Sequence, residues 1–142
     1  MTNPLIFVAN DDAAFVELIK ELLTEFGYPN VVWQVGQSSF EHIREAPPHL
    51  LILDINLANP ARGWSTLDSV RLNPKTRHIP VIICSTDMRM INEKAEMLRN
   101  MNCQVVEKPF DIETLLDKVV AAIGPPPEAT QPSNNGVHAG LL

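Results

Sequence analysis

Short apolar runs alternate along the chain with longer stretches in which apolar residues recur every three or four positions. The runs are Leu5–Ala9, Val31–Val35, Leu50–Leu53, Val81–Cys84 and Val105–Val106. Their near-continuous apolar character predicts strands buried on both faces. Between the first two, Phe15, Leu18, Ile19, Leu22, Leu23 and Phe26 form one stripe at helical spacing. Ser38 and Glu41 make a capping box that opens a short helix carrying Phe40 and Ile43. A third helix over Ser65–Leu72 carries Leu67 and Val70, and a fourth over Asp87–Met101 carries Ile91, Ala95 and Leu98. The last helix, with its stripe of Ile112, Leu115, Leu116, Val119 and Ile123, has the clearest ends. Asp111 is placed to cap it, Phe110 and Leu115 occupy the staple positions, and Gly124 followed by Pro125 stops it. Strand and helix thus alternate five times. That predicts an α/β fold: a five-stranded, doubly wound parallel sheet with right-handed crossovers and helices on both faces.

A change in composition marks where this pattern ends. Gly124 to Leu142 holds Pro125, Pro126, Pro127 and Pro132, three glycines, one charged residue and no aromatic. Such a segment buries too little apolar surface to offset its ordering entropy. The expectation is one domain over residues 1–123 and a flexible Pro-rich tail over 124–142, with no output domain. At 142 residues, 45% hydrophobic and 20% charged, the chain has the composition of one globular domain. Its net charge of −6 argues against nonspecific nucleic-acid binding and against adhesion to an anionic membrane. No apolar run approaches the roughly 20 residues of a spanning helix, and Met1–Asn10 lacks the features of a signal peptide. With only Cys84 and Cys103 as thiols, these features predict a cytoplasmic protein with reduced cysteines. The four histidines, His42, His49, His78 and His138, show no spacing suited to a zinc site.

Ligands of an open parallel sheet bind beyond the carboxyl ends of its strands. There the first strand delivers Asn10-Asp11-Asp12, the third Asp54-Ile55-Asn56, the fourth Ser85-Thr86 and the fifth Lys108-Pro109. Carboxylates beside a lysine suit a hard cation together with a phosphate. Mg²⁺ takes one or two carboxylates, waters and phosphate oxygens, and lysine offers a point charge to a phosphoryl oxygen. A carboxylate so placed can itself be the nucleophile and form an aspartyl phosphate.

In order and at the strand ends, these residues resemble the receiver domain of two-component response regulators, the family of the bacterial chemotaxis regulator. The likeness runs from Leu5 to Ile123 and includes Asn10-Asp11, Leu53-Asp54, Gly63, Pro80 to Ser85 and Lys108-Pro109-Phe110. It implies a flavodoxin-like strand order of 2-1-3-4-5. It also implies Asp54 as phosphoacceptor, and Mg²⁺ held by Asp11, Asp54 and the backbone carbonyl of Asn56. Ser85, with the Thr86 backbone N–H beside it, would receive the phosphoryl group, Lys108 would pair with Asp54 or its phosphate, and the Lys108–Pro109 bond would be cis. The implied partners are a sensor histidine kinase or histidine phosphotransfer protein, a downstream protein target, and a second copy paired through the fourth and fifth helices.

Four positions depart from the family's pattern. Asn10 stands where a carboxylate is usual, which removes a negative charge near the metal. Ala58 replaces a proline in a loop that reads one residue longer. Thr86 replaces a small residue and narrows access to Asp54. Val105, three residues before Lys108, replaces the aromatic that usually swings inward on activation. Two readings follow. The first is a stand-alone receiver that takes a phosphoryl group and signals by protein contact or phosphorelay. The second is a pseudo-receiver, an interaction module that works without phosphorylation; Asn10, Val105 and the loop favour it, and the set of Asp11, Asp54, Ser85 and Lys108 opposes it. A third reading, a flavin carrier or aspartate-based phosphatase on the same fold, is opposed by this chain: no Gly-rich or Ser/Thr-rich phosphate loop follows its first strand, and Asn56 stands where a second Asp would be.

Bland readings stand beside the sharp ones. A strand-end serine bonds its own backbone, Asp11 suits a helix N-terminus, and Cys84 reads as an inert core thiol. Met88, Met90, Met97 and Met101 suit either core filling or an adaptable partner surface. Trp64, after Gly63, either shields the phosphate or packs under the loop.

Overall fold

The computed structural model describes residues 3–10, 12–34, 39–55, 60–108 and 110–126. Five strands form one parallel sheet: β1 (Ile6–Ala9), β2 (Val31–Gln34), β3 (Leu50–Asp54), β4 (Val81–Ser85) and β5 (Cys103–Glu107). Their order is β2-β1-β3-β4-β5, the doubly wound order the family resemblance implied. The helices are α1 (Ala13–Glu25), α2 (Ser39–Glu45), α3 (Pro60–Leu72), α4 (Met88–Glu93), α5 (Ala95–Asn100) and α6 (Ile112–Ile123).

Alternation of side chains along each strand divides the core in two. Ile6, Val8, Ile52, Ile82, Cys84 and Val106 face α1 and α6, meeting Ile19, Leu23, Leu115 and Val119. Phe7, Ala9, Leu51, Leu53, Val81 and Ile83 face the other way, toward Ile43, Leu67, Val70, Ile91 and Leu98 of α2 to α5. Three of these helices have the cap residues their sequences offer. The Asp12 carboxylate accepts the Ala14 and Phe15 N–H groups, Asp87 accepts that of Met90, and Asp111 accepts that of Thr114. Phe110 and Leu115 are buried in one cluster, as a staple requires.

The structure revises three boundaries. The fourth helical stretch is two helices, not one: Lys94, at φ −106° and ψ 12°, interrupts it, and its ammonium lies 5.2 Å from the Trp64 ring centroid. No glycine or proline marks that break, so periodicity ran through it. Helix α3 starts at Pro60, five residues before the expected Ser65, because proline is preset for a first helical position. Gly63 therefore lies within the helix, where a Cβ would come 2.6 Å from Ile55 Cδ1; the missing side chain lets α3 approach the end of β3. Strand β5 begins at Cys103 rather than Val105, directly after Asn102, whose φ of 59° lets the chain turn out of α5.

At the opposite end of the sheet, the Tyr28 hydroxyl donates to the Gly124 carbonyl at 2.8 Å, and Pro126 packs over Gly27. The first residues of the segment read as tail are thus seated on the turn after α1. Residues 127–142, the rest of that segment, lie outside the described residues, as does Ser38 of the expected capping box. No helix among the described residues is long and apolar enough to cross a membrane.

Candidate functional site at the carboxyl edge of the sheet

Asp54 is the last residue of β3, opposite Cys84 in the ladder to β4. Beyond the strands proper the ladder continues: Ile55 N–H donates to Cys84 O at 2.9 Å, and Lys108 N–H donates to Ser85 O at 2.9 Å. These bonds fix three chain segments side by side and bring Asp54, Ser85 and Lys108 to one edge. The Lys108 ammonium forms an ion pair with Asp54 Oδ1. That oxygen is buried and accepts no other hydrogen bond from the described residues. The two side chains are 25% and 12% exposed, enough shielding from water to strengthen their attraction.

A second contact also holds Lys108. Its ammonium lies 4.7 Å from the centroid of the Phe15 ring, on the first turn of α1. Phe15 in turn meets Phe110 edge-on, centroids 6.1 Å apart and planes at 84°. The sequence placed Phe15 only in an apolar stripe. The legible signal was its position one turn after the acidic loop, which lands it at the strand ends.

Asn10 is buried at 7% exposure. Its side-chain oxygen accepts the Asp12 N–H at 2.7 Å, and its carbonyl accepts the Trp33 indole N–H at 3.1 Å. The Asn10 side chain therefore braces its own turn. Asp12, engaged as the cap of α1, faces the helix start. Ser85 is fully buried, and its Oγ accepts the Asp87 N–H at 3.0 Å; the hydroxyl hydrogen remains available to donate. Thr86 is exposed beside it. Burial first, then the Asp54 charge, pushes the Cys84 thiol up to about 12, with Lys108 opposing. A thiol held so far above neutral pH stays protonated and unreactive. Asp11, Asn56, the loop residues 57–59 and Pro109 lie outside the described residues.

The donors present suit a cation. Asp54 supplies a carboxylate with a buried oxygen free of other donors, while Asp12 and Asp87 are engaged as caps. Among the described residues no three His, Cys, Asp or Glu side chains converge.

A parallel sheet in this order, with an acid at the end of β3 paired to a lysine just after β5, defines a receiver-type signalling domain. The chain matches the response regulator receiver domain over residues 6–120 and belongs to that family. It is 28% identical over 120 residues to response regulator RR06 of Streptococcus pneumoniae, covering 83% of this chain and 52% of that one. It thus spans about half the length of that relative. It is 22% identical over 120 residues to the polar-differentiation response regulator DivK of Brucella ovis, covering 84% and 95%. Among solved structures, Vibrio cholerae CheY4 superposes with a TM-score of 0.69 at 18% identity, covering 85% and 99% of the two chains. A Pseudomonas aeruginosa histidine kinase receiver domain superposes at 0.68 and 17% identity, covering 87% and 99%. That structure carries a magnesium ion coordinated in its active site cleft.

Proposed function

We propose that this receiver domain accepts a phosphoryl group on Asp54 from a phosphohistidine on a kinase or phosphotransfer protein. The Asp54–Lys108 ion pair at the strand ends carries this reading. An Asp54 oxygen attacks phosphorus, a P–O bond forms as the P–N bond to histidine breaks, and the electron pair leaves with the imidazole. Mg²⁺, held by Asp11, Asp54 and Asn56, would neutralise charge on the phosphoryl oxygens. Lys108 meets a second oxygen as a point charge, and the Ser85 hydroxyl donates to a third. The fixed strand ends supply positioning, which is most of what phosphoryl transfer asks of a protein. The modified Asp54 carries a charge of about −2, and that change biases the surface offered to a downstream protein.

A second reading, a module that binds partners without phosphorylation, draws on one observation: Asn10 is built into its turn as a structural amide. Intact mass after incubation with acetyl phosphate separates the two. The expected result is a phosphate adduct that needs Mg²⁺, disappears in EDTA and is absent in Asp54→Asn. A wild-type chain that gains no mass would favour the second reading.

A further inference from the structure

We infer that Phe15 is a positioning residue for the phosphoryl-transfer lysine: its ring face holds the Lys108 ammonium over Asp54. The inference rests on the phosphoacceptor reading of Asp54 and extends it to a residue of α1. Lysine is a long, flexible side chain, and a lysine in a loop after a strand loses considerable rotamer freedom when it is held in one place. Here two contacts confine it. Asp54 Oδ1 takes the ammonium by charge, and the Phe15 ring takes it by the negative potential of its face, at 4.7 Å. The ring is itself fixed. It rides on the first turn of α1, which Asp12 caps through the Ala14 and Phe15 N–H groups, and Phe110 abuts it edge-on. Phe110 in turn precedes Asp111, the cap of α6.

The arrangement has a chemical use. When a phosphoryl group forms on Asp54, the oxygen now facing Lys108 is replaced by a phosphate oxygen further from the strand end. A lysine held only by its carboxylate has no second anchor while that carboxylate becomes an acyl phosphate and its ammonium moves to a phosphate oxygen. A lysine also held by an aromatic face keeps its ammonium at the site during the exchange. Removing the face while keeping an apolar side chain isolates this role, because Phe15→Leu still fills the space between α1 and the core.

The test compares wild type, Phe15→Leu and Phe15→Tyr by two measurements on the full chain. The first is the shift of the Lys108 Cε protons in an NMR spectrum, where an overlying ring moves them upfield. That shift is expected in wild type and Phe15→Tyr and lost in Phe15→Leu. The second is the rate of adduct formation with acetyl phosphate and saturating Mg²⁺. From the range of cation–π strengths, Phe15→Leu is expected to react roughly three- to thirty-fold more slowly, with Phe15→Tyr restoring the rate. Thermal unfolding midpoints confirm that both variants fold. A Phe15→Leu chain that loses the ring shift yet reacts at the wild-type rate would overturn the inference and leave Asp54 as phosphoacceptor. An equally slow Phe15→Tyr, or a wild-type spectrum without the shift, would also overturn it. A wild type that takes no phosphate would overturn the phosphoacceptor reading, and the positioning role with it.

Discussion

The two faces of the sheet are covered in different ways. Helices α1 and α6 run for 13 and 12 residues, carry unbroken apolar stripes and begin at aspartate caps. The opposite face is covered by α2, α4 and α5, of 7, 6 and 6 residues, together with α3. Polar contacts tie that second face together. The Arg71 guanidinium donates to the Met101, Asn102 and Arg77 carbonyls, Lys94 lies over Trp64, and the Thr76 hydroxyl donates to Val70 O at 2.7 Å. The first face has such ties too, the Gln104 amide donating to Lys118 O and the Tyr28 hydroxyl to Gly124 O, but its two helices also carry continuous apolar stripes. The six- and seven-residue helices bury less area each, and side chains that grasp backbone carbonyls add to their hold. The lysine of the site is held from the first face, by Phe15 and Asp54.

The contrast can be broken from either side. The largest effect is expected for Leu115→Ala, fully buried on α6. Lost burial and the cavity left behind should cost about 3 kcal/mol of stability in urea unfolding, with no local transition preceding the global one. Next comes Arg71→Met, which leaves three carbonyls without their donor and should cost about 2 kcal/mol. Its signature is local: amide exchange should rise first around Met101 and Cys103, ahead of α1 and α6. Gly63→Ala sets a methyl against Ile55 and should cost about 1–2 kcal/mol while slowing acetyl phosphate labelling, since Ile55 adjoins Asp54. Asp12→Ala removes the cap of α1 at about 1 kcal/mol, read from the unfolding midpoint.

The smallest expected effect depends on pH. The Thr114 N–H holds the Asp111 carboxyl below its ordinary value of 3.8. The folded value is the lower one, so the stability this gives is present above that ordinary value and fades as the pH falls through the folded value. An Asp111→Asn chain, still capped but uncharged, should differ slightly from wild type at neutral pH and converge with it in melts once the pH has fallen through the folded value. A gap that widens in acid would sink the explanation.

The same contrast sets what the sequence disclosed. The parallel sheet, the ends of α6 and the placing of Asp54, Ser85 and Lys108 at one edge were legible, because each follows from periodicity, capping chemistry or the geometry of parallel sheets; the strand order came from the family resemblance. The division of α4 from α5 was not, because it falls at Lys94, an ordinary helix former whose contact with a ring on another helix is visible only in the folded chain. Arg71 and Phe15 were hidden for the same reason. One reads as a surface charge and the other as a core position until the chain is folded and their partners, from 30 and 93 residues away, arrive beside them. The role of Asn10 was half visible: the missing charge was plain, and the hydrogen bond that uses the amide was not.

Both tryptophans of the chain sit near the carboxyl ends of β1 and β3. The Trp33 indole N–H is bonded to the Asn10 carbonyl, and Trp64 follows the glycine that packs on Ile55, the residue after Asp54. Tryptophan emission from this protein is therefore emission from the surroundings of its site. Trp33, 38% exposed, should emit at longer wavelength than Trp64, which has a buried N–H and a cation over its ring. If Asp54 takes up an ion or a phosphoryl group as proposed, the event should be readable as a spectral change without any added dye, and single Trp→Phe variants would assign each part of it to one side of the site.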